Sequence, residues 1–180
     1  MSVIFCFSEE FAMHKKIRRM TQGAIIAAMY IALTHMQNLL LPGSTTWAIQ
    51  CRLSEALCVL CFFTPAAVPG LTVGCLLFNL TYAAALPLDI VVGSLATLLA
   101  ALGMRHTRNL TVHGLPAVGL AMPAIFNAIL VGWELTVYIG GAFWLNAVYV
   151  ALGELIVLYI PGSILYSVIR KRHLDRTIFE

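Results

Sequence analysis

The chain has 180 residues, 61% hydrophobic and only 11% charged, with a formal net charge of +3 and a mean hydropathy of +0.90. A soluble domain carries about 25% charged residues, so the composition argues against a soluble globular fold and for an integral membrane protein. The small positive charge is no nucleic-acid signal, because the basic residues sit at the ends of apolar segments rather than in one stripe.

Residues 1–16 read as a cytoplasmic tail. The apolar piece at residues 3–7 is too short for a secretory signal, and no basic region precedes it. The apolar runs that follow are continuous rather than alternating, which favours helices over a barrel. Six spans are predicted, at about residues 21–41, 49–63, 70–85, 88–104, 115–137 and 145–169. Pro42-Gly43, Pro65, Pro69 and Pro87 stop the early ones. Pro123 is predicted to kink the fifth, and Pro161-Gly162 to bend the sixth. The second to fourth are short against the 20 or so residues that cross a bilayer, so five spans is the competing count.

Six spans put Lys15, Lys16, Arg18 and Arg19 on the same side as Arg105, Arg108, Arg170, Lys171, Arg172 and Arg176. That side is predicted to be the cytoplasm. The expectation is an all-α integral membrane protein: one six-helix transmembrane bundle over residues 17–173, both termini cytoplasmic, with a short tail at 174–180.

Five charged residues interrupt the apolar part: Arg52, Glu55, Asp89, Glu134 and Glu154. A charge at bilayer depth costs roughly 2.5–3.5 kcal/mol on insertion scales. By depth, Gln50, Arg52 and Glu55 open the second span from outside, Asn79 lies in the outer half of the third, and Asp89 opens the fourth. Asn127 falls near the middle of the fifth span, with Glu134 two turns further out on nearly the same face. Asn146 and Tyr149 open the sixth, with Glu154 about two turns deeper. Converging helices would form a polar cup open to the outside, lined by carboxylates, amides and rings, which suits a small planar polar solute.

Plainer roles compete. Arg52 and Glu55, at i and i+3, can neutralise each other. Asn79, Asn127 and Asn146 can join helices by hydrogen bonds, and Asp89 can cap the fourth span. Trp47 and Trp144 can anchor the outer interface. Glu134 and Glu154 have no basic residue near them in sequence.

On the first span Ala24, Ala28 and Ala32 recur every four residues beside Gly23 and Ala27, a smooth strip that lets another helix approach closely. Its spacing does not say whether that helix belongs to this bundle or to a partner. Cys58 and Cys61 form a lone CxxC in an apolar segment and read as packing residues. The sequence has no GxxxxGK[ST] phosphate loop, nucleophile elbow or HExxH. No cofactor or metal is expected, and energy for uphill transport would come from an ion gradient or a partner.

The runs RLSEAL from Arg52, FFTPAAVPGL from Phe62, DIVVGSLATL from Asp89 and FWLNAVYVALGE from Phe143 resemble the queuosine-precursor (QueT-type) transporter family, with similarity from about residue 17 to 169. The resemblance implies a substrate-binding S component of an energy-coupling factor (ECF) transporter in the plasma membrane. Such a component binds a vitamin-like solute from outside and works with a transmembrane coupling protein and two cytoplasmic ATPases. It also implies that Ala24, Ala28 and Ala32 meet the coupling protein. The implied solute is a 7-deazaguanine such as queuine or its aminomethyl precursor, bound among Gln50, Arg52, Glu55, Asn79, Asn127, Glu134, Trp144, Asn146, Tyr149 and Glu154. Within that set Glu55 or Glu134 would take the purine edge and Glu154 would be the second carboxylate. Asn127 and Asn146 would read the carbonyl, Trp144 would stack, and Arg52 would hold Glu55. The alternatives are an S component for riboflavin or folate, or a small intramembrane enzyme.

Overall fold

A computed structural model describes residues 2–42, 44, 51–82, 87–112 and 114–175, with side chains from residue 13 onward. The described residues are helical throughout, apart from turns and a single bridge between Val112 and Leu115. Apolar sequence dictates this: in lipid every backbone N–H and C=O needs an internal partner, which a helix supplies along its own length.

The first helix, α1 (Ser2–Leu40), runs unbroken for 39 residues, and its apolar, membrane-length part is Met13–Leu40. The residues predicted as a tail thus continue the first span as one helix. The second predicted span is corrected. Residues Leu53–Phe62 form a 3-10 helix (η1) of ten residues, which at about 2.0 Å per residue covers only about 20 Å, short of the roughly 30 Å hydrocarbon core. Its residues from Ser54 to Phe62 are all buried, and it touches each of the six α-helices. η1 is the axis around which the rest packs.

Helix α2 (Ala67–Thr81) has 15 residues and is also short for a crossing. A 3-10 turn, η2 (Pro87–Ile90), leads into α3 (Val92–His106), and together they make a 20-residue apolar span. Helix α4 (Ala117–Tyr138) carries Pro123 inside it. Then α5 (Phe143–Val157), a π-turn at Leu158–Gly162 and α6 (Ser163–Lys171) follow in one run. The π-turn contains Pro161, whose missing N–H and bulky ring a regular helix accommodates poorly. The six predicted spans therefore appear as four membrane-length helices and two shorter apolar ones.

Successive helices pair, α1 with α2, α2 with α3, α3 with α4 and α4 with α5. Glycine sets two of these contacts. A Cβ on Gly70 would lie 2.7 Å from the carbonyl oxygen of Gly23, and one on Gly74 would lie 2.9 Å from Tyr30 Cβ. A Cβ on Gly132 would lie 2.8 Å from the Cα of Ala147. Close backbone approach replaces the hydrophobic drive that helices in lipid lack.

Basic residues gather at one end of the bundle. Arg105 lies within electrostatic reach of Arg19 and Arg108, and Arg108 and Arg170 line one cleft with Phe62 and Phe63. The polar residues described next lie toward the opposite end.

A buried polar cluster as the candidate functional site

Helix α1 presents Tyr30, Thr34, Gln37 and Asn38 on one face, and all four are buried. Three of them grip η1. The Gln37 amide donates to the carbonyl of Cys51 and accepts from the N–H of Leu53 at 2.8 Å. The Thr34 hydroxyl lies 2.7 Å from that of Ser54. The Tyr30 hydroxyl donates to Glu55 Oε1 at 2.7 Å. Runs of 3-10 helix beyond three or four residues are uncommon. Here side chains of α1 hold one end of the run, and the Arg105 guanidinium, donating to the carbonyl of Cys61 at 3.2 Å, holds the other.

Glu55 is fully partnered, since the Cys58 thiol donates to its second oxygen at 3.1 Å. Cys58 thus supports a carboxylate, and Cys61 packs in the apolar core. Arg52 does not use Glu55 for its ion pair. Its guanidinium lies 3.2 Å from Asp89 Oδ2, with both side chains 6% exposed. The expected role of Arg52 as the clamp on Glu55 is corrected accordingly: Tyr30 and Cys58 hold Glu55, and Arg52 joins the start of η1 to η2.

Around Asp89 the packing is tight. The Asn79 amide donates to the Asp89 carbonyl at 2.7 Å. A Cβ on Gly93 would fall 2.7 Å from Asp89 Oδ1 and 3.1 Å from Asn79 Nδ2, so glycine alone lets the carboxylate sit against α3. From α4, Glu134 lies within electrostatic reach of both Asp89 and Arg52. Glu154, on α5, lies within reach of Glu55 and Arg52 and accepts from Asn127 Nδ2 at 3.0 Å. Four carboxyl groups on four different elements therefore surround a single guanidinium.

Seven of the ten predicted substrate-binding residues, Arg52, Glu55, Asn79, Asn127, Glu134, Asn146 and Glu154, are thus buried or hydrogen-bonded inside the bundle, and the first five and Glu154 join in one cluster. Asn146 stays outside that cluster: its amide donates to Thr136 Oγ1 and to the Gly140 carbonyl, at 3.0 and 3.1 Å, and ties the α4–α5 turn. Trp144 is 76% exposed and packs edge-on against Phe143, and Tyr149 is 40% exposed. The structure does not bring these two rings to the cluster. Gln50, like Trp47, lies outside the described residues.

Among the described residues, Asn79 Oδ1, Glu154 Oε2 and the Ser94 hydroxyl are buried without a hydrogen-bond partner, and the Glu134 and Asp89 carboxyls have each other as neighbours, a pair that can bond by sharing a proton. A buried polar atom without a partner costs about 1–3 kcal/mol, so these atoms gather in one neighbourhood an expense that packing does not explain. Sequence reasoning missed Tyr30, Thr34, Gln37 and Asn38. Their spacing of i, i+4, i+7 and i+8 draws one polar stripe down an otherwise apolar span, which was the available signal. For Ser54 and Ser94, small hydroxyls in apolar runs, no comparable signal exists.

The strip on α1 divides in two. Gly23 and Ala27 face α2, as the contacts to Gly70 and Gly74 show. Ala24, Ala28 and Ala32 are exposed. At the basic end a cleft of about 740 Å³ opens between α1 and α2, lined by Lys16, Arg19, Ala24, Pro65, Pro69 and Val73 among others.

Among curated proteins and among solved structures, nothing matches the chain. The family model described as QueT transporter matches residues 20–171. That range takes in η1, its α1 clamp, every carboxyl of the cluster and the exposed alanine strip, and the chain belongs to the QueT transporter family.

Proposed function

We propose that this chain is the substrate-binding subunit of an ATP-driven importer of the energy-coupling-factor type, and that it takes up a 7-deazaguanine queuosine precursor such as queuine. It works in the plasma membrane with both termini in the cytoplasm, so the basic end faces inward and the polar cluster lies in the outer half. The observation that carries the reading is the group of buried carboxyl and amide oxygens gathered from η2, α2, α4 and α5, in a chain whose family transports queuosine precursors. A guanine-like edge presents ring N–H and amine donors side by side, and one carboxylate accepts both. Glu134, whose carboxyl neighbours only that of Asp89 among the described residues, suits that edge better than Glu55, whose two oxygens are already taken by Tyr30 and Cys58. Glu154 is the second carboxylate, oriented by Asn127. Trp144, Asn146 and Tyr149 belong to the outer rim, where they would close over the solute rather than contact it from below.

The chain is not an enzyme in this reading. A transmembrane coupling protein and two cytoplasmic ATPases supply the energy, consistent with the lack of a phosphate-binding loop in the sequence. The outward-facing Ala24, Ala28 and Ala32 strip supports docking of the coupling protein, because the neighbouring small residues already serve α2. Uptake of labelled queuine by cells expressing this chain, with and without the ATPase module, tests the proposal. Uptake should require both. Uptake without the module would remove the energy-coupling assignment, and riboflavin or folate taken up in place of queuine would redirect the solute.

A further inference from the structure

At the basic end of the bundle α1 runs on past the start of α2. Gly23 packs against Gly70, and α2 begins at Ala67, so the turns of α1 before Gly23 project beyond it. The cleft of about 740 Å³ lies in that angle. Its lining changes character along α1. Lys15, Arg19, Gly23 and Ala27 all line it, at steps of four residues, and so run down one face of the helix from charge into apolar depth. Lys16 lines it beside Lys15. The facing wall is smooth and apolar, with the exposed rings of Pro65 and Pro69 and the side chain of Val73. No acid lines the cleft. Arg19 also lies within electrostatic reach of Arg105, so like charge collects at this end. The apolar, membrane-length part of α1 begins at Met13, which sets the cations at the water boundary and the small residues in the hydrocarbon. An anionic amphiphile has the same gradient, a negative head above an apolar tail. It also enters from the side without leaving the bilayer. Clusters of Lys and Arg beside membrane helices attract anionic lipid heads in this way. A soluble anion would use only the charges. A partner helix on the outward alanine strip would meet Ala28 and Ala32, and neither lines the cleft.

We propose that this cleft binds one anionic phospholipid, its phosphate held by Lys15, Lys16 and Arg19 and an acyl chain laid between α1 and α2. The site is separate from the buried polar cluster and rests neither on the transported solute nor on the coupling protein. A lipid seated there fills the angle where Gly23 and Gly70 bring the two backbones together, so it braces the α1–α2 pair, and it does so only when its head is negative.

The full chain, purified in detergent and stripped of lipid, tests this. Its unfolding temperature is titrated with dioleoylphosphatidylglycerol, with dioleoylphosphatidylcholine and with glycerol phosphate, since a ligand of the native state raises it in proportion to occupancy and affinity. Native mass spectrometry counts the lipid retained. The anionic lipid should bind once per chain and at least tenfold tighter than the zwitterionic one, because each basic side chain near a negative head contributes about fivefold. Glycerol phosphate, the head without the tail, should leave the unfolding temperature unchanged. Lys16→Gln with Arg19→Gln should lower the preference to about fivefold or less. Lys171→Gln with Arg172→Gln removes the same charge from the end of α6, away from the cleft, and should leave the preference within about twofold. Equal affinity for the two lipids in the native chain overturns the site. So does an equal loss in both double variants, which would mean that the charge of the whole basic end attracts the lipid. Stabilisation by glycerol phosphate alone would make it an anion site and not a lipid site. Equal lipid affinities together with loss of the copurifying coupling protein in the Lys16→Gln, Arg19→Gln variant would give the cleft to that protein instead.

Discussion

Glu55 and Glu134 are both buried acids in an apolar bundle, 1% exposed each, yet they are treated differently. Glu55 is closed in by a phenol and a thiol, one on each oxygen. Glu134 faces the carboxyl of Asp89, with which it can share a proton, and accepts from no hydroxyl, thiol or amide among the described residues. The first arrangement is how a protein stabilises an acid it needs for its fold; here the acid pins the central 3-10 helix to α1. The second joins α4 to η2 through a pair of acids, an arrangement that apolar side chains of similar size often replace at no cost in stability. Burial is common to both acids; what sets them apart is the partners their oxygens find.

The contrast can be broken experimentally. Glu134→Gln should have the largest effect, lowering uptake of the 7-deazaguanine roughly 10- to 100-fold, the scale of one lost charge-assisted hydrogen bond. The protein should still elute as a folded species with an unchanged circular dichroism spectrum. Should Glu134→Gln unfold the chain instead, Glu134 would belong with Glu55. Next comes Tyr30→Phe, which leaves Glu55 Oε1 without its donor and should cost about 1–3 kcal/mol of stability, read as a lower unfolding temperature. Ligand affinity of the folded fraction should stay the same, and a selective loss of affinity would move Glu55 into the binding set. Gly70→Ala, which drives a Cβ into the backbone of α1, should cost about 1–3 kcal/mol through overpacking and leave Glu134 untouched. The smallest stability effect belongs to Ala28→Leu, within about 0.5 kcal/mol for an exposed site. Binding by the isolated chain should persist while uptake with the ATPase module falls. Unimpaired uptake would take the partner off this strip.

Much of the architecture was legible. Continuous apolar runs cut by prolines located all six helical segments, because backbone groups in lipid have no other solution. The winding of η1 was not legible, since an apolar run of ten reads the same whether its hydrogen bonds close at i+3 or i+4; the tethers that decide it come from Gln37, Thr34 and Tyr30, well upstream. The cluster's members were visible as charges that lipid should exclude. Their partners were not: Arg52 sits three residues from Glu55 and pairs with Asp89, 37 residues away. Sequence proximity favoured the nearer acid, and the three-dimensional fold chose the farther one. The alanine strip shows the same limit, because Gly23–Ala27 and Ala24–Ala28 differ by one residue, about 100° around the helix, and only the position of α2 says which pair is left facing outward.

The tight winding of η1 makes it a ruler between the two ends of the molecule. Ten residues wound as 3-10 reach about 20 Å, against about 15 Å as an α-helix. One terminus is latched beside Arg52 and the other, through Cys61, to the guanidinium of Arg105. Rewinding it as an α-helix would draw those latches some 5 Å closer, so the 3-10 winding itself sets how far apart Arg52 and Arg105 are held.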